Sequence, residues 1–159
     1  MFMRVLGVDY GERRIGIAVS DPTGTLARPC RTLSAAGSLA ERVATVAAEA
    51  DVLAGEADGL TAVVVGLPRR LDGRPNEQTT RVLAFAEALR AATGLPIATQ
   101  DERLTSIEAE QRLAEREASW RRRKTQLDAA SAAIILQDYL DQRAEARRSG
   151  FEKVEGSGR

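Results

Sequence analysis

Carboxylates stand at three points of this 159-residue chain where they could share a cation: Asp9 after the apolar run "VLGV", Asp101-Glu102 after "LPIATQ", and Asp128 in "KTQLDAASAAIIL". The chain has no histidine, which removes Ser-His and Cys-His nucleophile pairs and the usual zinc centres. Hydrolysis would have to rest on carboxylates with a hard cation, and Mg²⁺ or Mn²⁺ suits such oxygen donors. An acidic cluster of this kind fits two-metal cleavage of phosphodiesters, in which one ion activates a water and the other stabilises the leaving oxygen. Lys124, Arg13 and Arg14 are candidates to hold the phosphate, with Arg70 and Arg103 as further substrate contacts. Each acid alone has a plainer reading: Asp9 as turn chemistry before Gly11, Asp128 as a helix-start residue.

The elements must bring these residues together. Residues 4–10 and 14–20 read as a hairpin, and in the second strand Gly16, Ala18 and Ser20 make a small face that admits close packing. Residues 26–33 form a third strand, placed at an edge by Pro29. Helical spacing of Leu39, Val43, Val46, Ala50 and Leu53 predicts a helix over 38–55. "AVVV" at 62–65 is a central strand ending at Gly66-Leu67-Pro68, and the loop "LPRRLDGRPNEQ" precedes a second helix with Val82, Phe85, Ala86 and Leu89 inward, stopped at Gly94 and Pro96. A strand over 96–100 ends at Asp101-Glu102, and the capping box at Thr105 to Glu108 opens a third helix. Trp120 and the basic run 121–124 read as a loop before a last helix over 127–144, where Asp128 shares a face with Ala132, Ile135 and Tyr139. In that helix's first turn Asp128 would be kept ionised by unpaired N–H groups. Residues 147–159 are polar and read as a disordered tail.

Hairpin strands first and helix-connected strands second predict an α/β fold, a mixed sheet flanked by helices, in one domain over 1–146. Sites in such sheets form beyond the carboxyl ends of parallel strands. Strand parity lets only one of Asp101 and Glu102 face Asp9, and periodicity alone leaves that choice open.

The totals constrain the partner. Twenty-three basic and 23 acidic residues give zero net charge, hence no global field for nucleic acid, although Arg13-Arg14, Arg69-Arg70 with Arg74, and 121–124 form local basic clusters. Aromatics at 4% argue against base stacking as the mode of binding. No apolar run reaches bilayer-spanning length and no secretory pattern is present, so a cytoplasmic protein away from membranes is expected. The single Cys30 reads as a buried, reduced thiol.

Four blocks, "GVDYGERRIGIAVSD" at 7–21, "VVVGLPRRLDG" at 63–73, "DERLTS" at 101–106 and "KTQLDAASAAIIL" at 124–136, together resemble the YqgF/RuvX family. Members of that family carry the names pre-16S rRNA nuclease or Holliday junction resolvase and have an RNase H-like fold. The resemblance implies a five-stranded mixed sheet of order 3-2-1-4-5 and an acidic, metal-binding catalytic site of Asp9, Glu102 and Asp128, which selects Glu102 over Asp101. It also implies a nucleic-acid partner, precursor rRNA or branched DNA, possible contact with the ribosome, and a monomer or homodimer. Arg69 and Arg70 stand where relatives often have uncharged residues. Two other classes compete. An ATP-dependent phosphotransferase shares the Asp-x-Gly loop but needs a second lobe, and a nucleic-acid or ribosome-binding module would have no turnover.

Overall fold

The computed structural model describes residues 3–68, 74, 76–102 and 120–156, with the backbone alone for 120–127 and 151–156. Strands β1 (Val5–Tyr10) and β2 (Arg14–Ser20) form the hairpin, Asp9 opposite Gly16, closed by a Gly11 N–H donated to the Arg14 carbonyl at 3.0 Å. β3 (Ala27–Ser34) lies antiparallel on β2 with a register shift at Ile17/Ala18. Pro29 sits in β3, where an edge strand tolerates a missing N–H. β4 (Ala62–Pro68) is parallel to β1, and β5 (Ile97–Glu102) is parallel to β4, so the sheet runs β3-β2-β1-β4-β5 as expected.

The two faces of this sheet differ because strand side chains alternate. Leu6, Val8 and Tyr10, Ile15 and Ile17, and Val63, Val65 and Leu67 face one side. There they are covered by α1 (Leu39–Gly55), capped by Ser38, and α2 (Glu77–Thr93), which begins with an Asn76/Thr79 capping box and ends at left-handed Gly94. Tyr10 and Phe85 stack on this side with ring centroids 4.1 Å apart. The opposite face is lined by small residues, Ala18, Ala62 and Ala98 among them, and receives α3 (Trp120–Gly156) through Ala132, Ile135, Leu136 and Leu140.

Glycines set how close α3 comes. A Cβ on Gly7 would lie 2.8 Å from the Leu136 Cβ, and one on Gly16 only 1.9 Å from the Asp128 carbonyl oxygen. The small face of β2 is thus the seat of the helix that carries Asp128.

Three readings of the sequence are corrected here. The basic run 121–124 is helical, since α3 starts at Trp120 and not near 127: Arg, Lys, Gln and Leu are good helix formers and nothing there breaks the helix. The same helix continues through 156, into the stretch 147–159 whose polarity predicts a disordered tail, because Glu, Ala, Arg and Lys outweigh Gly150. Residues 141–150 are exposed, so their polarity reflects a solvated helix. Cys30 is exposed on β3 and not buried. The capping box at 105–108 lies outside the described residues.

One buried charge ties α1 to the sheet. Arg4, 9% exposed, donates to the Gly59 carbonyl at 2.9 Å, to Glu56 at 2.9 Å and to the Leu53 carbonyl at 2.7 Å. Arg4→Met keeps the stem and deletes these charge-assisted bonds, so urea denaturation is expected to show a loss of about 2 kcal/mol.

Candidate active site

β1 delivers Asp9 to the carboxyl end of the sheet with its side chain on the α3 face, because Tyr10, its neighbour, belongs to the opposite core. β5 ends two ladder positions away through β4, with Glu102 paired to Pro68. Glu102 reaches back toward Asp9 over Gly66, where an added Cβ would meet Glu102 Oε2 at 2.5 Å. Asp101 is exposed and Glu102 half-buried, so the parity left open by periodicity falls to Glu102. Asp128 arrives from α3, pressed over Gly16.

The charges of these residues feel one another. Burial, then the Asp128 charge, pushes Asp9 up to about 7. Burial, then the Asp9 charge, pushes Glu102 up to about 8. Asp128 is also raised by burial, opposed by the charge of Arg14. This reverses the expectation that helix N–H groups hold Asp128 ionised: with α3 starting at Trp120, Asp128 lies roughly two turns in, beyond the reach of the terminus.

Arg14 Nε stands 2.9 Å from the buried Asp128 Oδ2, close enough for its charge to oppose the upward push of burial, although no well-aligned hydrogen bond forms. The contact is an ion pair. Arg14, a candidate phosphate ligand in the sequence, is paired here with Asp128, whereas Arg13 is exposed at the hairpin turn. The backbone of Lys124 is one helical turn before Asp128. Arg70 and Arg103 lie outside the described residues.

Among the described residues no three acidic side chains form a ready-made ligand cage. Repulsion carries further than ligation, so Asp9 is coupled to both partners while Arg14 draws Asp128 aside. The donor set is nonetheless suited to a hard divalent ion: oxygen atoms only, one orphaned and buried, on carboxylates whose charge burial disfavours. Gly66 keeps the space that Glu102 occupies. Gly66→Ala is expected to displace that carboxylate and the Ile135 side chain and, where Glu102 helps to hold a divalent ion, to weaken Mn²⁺ binding at least about tenfold in a titration. The Arg14–Asp128 pair and the glycine seat of α3 escaped the sequence reading in detail; the alternating small residues of β2 were the available signal for the second.

A five-stranded mixed sheet in this order, an acid at the end of its first strand and another on the last helix, defines the RNase H-like class of folds. A Thermus thermophilus RuvC solved in complex with a Holliday junction substrate superposes with a TM-score of 0.53 at 21% identity, covering 89% of this chain and 96% of that one, a likeness of fold. Residues 3–142 match the family model RuvX, described as a Holliday junction resolvase. A protein of Anaeromyxobacter dehalogenans (strain 2CP-C) named "Putative pre-16S rRNA nuclease" is 43% identical over 142 residues, 89% of this chain and 99% of its own. One of the same name from Pelotomaculum thermopropionicum is 35% identical over 157 residues, 97% of each chain. The chain belongs to the RuvX family.

Proposed function

We propose that this chain is a metal-dependent nuclease that processes the 5′ end of precursor 16S rRNA in the cytoplasm, with Asp9, Glu102 and Asp128 as its catalytic and metal-holding residues. The reading rests on one observation above all: carboxylates from β1, β5 and α3, remote in sequence, are all raised by burial at the carboxyl end of the sheet, with the Asp128 charge adding to the shift of Asp9 and the Asp9 charge to that of Glu102. The relatives' names supply the rRNA substrate.

Bound there, Mg²⁺ or Mn²⁺ would supply an activated water and charge neutralisation for the scissile phosphate. Asp9 would contribute the central carboxylate, shared between the other two. Glu102, the longer side chain, spans the width of β4 to join it. Arg14 would steady the Asp128 carboxylate through its contact with Oδ2. Arg13, exposed at the turn, would contact substrate phosphates, and Lys124, Arg70 and Arg103 are further candidates by residue type alone.

Resolution of four-way DNA junctions is the second reading, favoured by the description of the matching family. It uses the same chemistry but needs a two-fold dimer to place paired cuts. Purified protein with Mg²⁺ or Mn²⁺ is expected to shorten a 5′-extended 16S precursor and to leave a four-way junction intact. Symmetric cuts in the junction alone would replace the first reading by the second. Binding to RNA without cleavage of either substrate would mark a binding module. Among the described residues no helix is long and apolar enough to cross a membrane.

A further inference from the structure

On the far face of the sheet from the carboxylates, and only one residue along the chain from Asp9, lies a cleft of about 530 Å³ lined by Tyr10, Gly11, Glu12, Arg42, Gln78 and Arg81. One donor in its wall is unspent. Arg42 lies over the Tyr10 ring, 5.7 Å from its centroid, and donates to the Tyr10 hydroxyl at 3.1 Å and the Glu12 carbonyl at 3.2 Å. Both acceptors are neutral, and Arg42 Nε is buried with no hydrogen-bond partner. A guanidinium with a desolvated, unpaired N–H is costly to keep, and an anion relieves that cost. Opposite it, Arg81 holds the Glu12 carboxylate at 3.2 Å, an exposed pair of little intrinsic strength. Gln78, whose amide donates to the Tyr10 carbonyl at 3.3 Å, lines the side between the two arginines' helices.

The geometry points to a phosphate site: Arg42 and Arg81 hold a backbone phosphate of the nucleic-acid strand as it crosses the hairpin turn into the nuclease site, and Glu12 occupies the place of that phosphate in the free protein. The proposal rests on the nuclease reading, for the ligand is the flank of the same substrate. Position supports it, because Asp9 and Tyr10 are consecutive and their α-carbons lie about 3.8 Å apart. A chain passing over Gly11 at the carboxyl edge of the sheet meets both faces. Chemistry supports it as well: planar guanidinium groups suit phosphate oxygens, and a weak internal carboxylate partner keeps the arginines ordered yet displaceable.

Glu12 gives the test a sign that a structural role would not produce. In an Asp9→Asn background, which stops turnover and removes one repelling charge, binding of a fluorescent single-stranded oligoribonucleotide and of a four-way DNA junction is followed by anisotropy across a salt series. Arg42→Gln with Arg81→Gln is expected to weaken binding about tenfold and to lower the salt slope by about 0.7 for the single strand. Glu12→Gln is expected to tighten binding several-fold, and that gain should vanish when the two arginines are replaced. Arg81→Gln alone, at an exposed position, gives the weakening without disturbing the Tyr10 packing. Unchanged slopes, or a Glu12→Gln variant that binds no better, overturn the phosphate site and leave the nuclease reading standing. Failure of the Asp9→Asn protein to bind either nucleic acid overturns both.

Discussion

Asp9→Asn is expected to abolish metal-dependent cleavage, by roughly a thousandfold or more, and at the same time to make the metal-free protein more stable above neutral pH. The first effect follows if Asp9 is shared by the other carboxylates, since losing a metal-holding group forfeits several kcal/mol of barrier lowering. The second follows from the direction of its titration. Asp9 is raised to about 7 in the folded chain from an ordinary value of 3.8. Between those values the native state holds a proton that the unfolded chain has released, so the native state gains stability below 3.8 and loses it as the pH rises through about 7. Glu102, raised from 4.5 to about 8, acts in the same sense. The wild type should therefore melt at lower temperature at pH 8.5 than at pH 5.

Asparagine does not titrate, and it relieves Glu102 of its charged neighbour. The shift of Asp9 sets a ceiling of about 4 kcal/mol. Water reaching a half-buried carboxylate halves this to about 2 kcal/mol, or roughly 6 °C in a chain of this length. Mn²⁺ should restore the wild-type melting temperature at pH 8.5 and leave the variant unmoved. A wild type whose melting is flat from pH 5 to 8.5 and indifferent to Mn²⁺ would show that the three carboxylates do not form one site, whatever the cleavage assay gives.

How much of this was legible in the letters depends on the range of the cause. Strand alternation and helical spacing act over a few residues, so the strands themselves, the apolar stripe of α2 and the inward direction of Asp128 could be read from the sequence, whereas the sheet order came from the family resemblance. The start of α3 could not, because a run of Arg and Lys is equally at home on a solvated helix and in a loop; that error carried Asp128 to a helix terminus it does not occupy. Cys30 was misplaced because its edge strand exposes residues that a central strand would bury. The Arg14–Asp128 ion pair joins positions more than a hundred residues apart, and no local pattern announces it. Periodicity left the choice between Asp101 and Glu102 open; the family resemblance selected Glu102, and the end of β5 agrees by leaving Asp101 exposed.

Gly16→Ala should be the most damaging single methyl in the protein. The added Cβ would stand 1.9 Å from the Asp128 carbonyl oxygen and 2.3 Å from its carbonyl carbon, and both are backbone atoms that no rotamer can move. Relief requires α3 to lift from β2 by about 1 Å, which opens the packing of Ala132, Ile135 and Leu136 over the sheet. A cost of about 3 kcal/mol is expected, seen as a melting temperature lowered by roughly 9 °C. The same lift carries Asp128 away from Asp9, so cleavage should fall about a hundredfold even at temperatures where the variant is fully folded. Gly7→Ala meets the Leu136 Cβ at 2.8 Å and the Ala132 carbonyl oxygen at 3.0 Å, a milder overlap that should cost less on both measures. Gly55→Ala, at the end of α1 with open space around it, should be neutral or stabilising by up to about 1 kcal/mol. That ranking separates a steric seat from a general intolerance of alanine: if Gly16→Ala melts like Gly55→Ala and cuts like the wild type, α3 does not depend on the small face of β2, and Asp128 is held in place by something else.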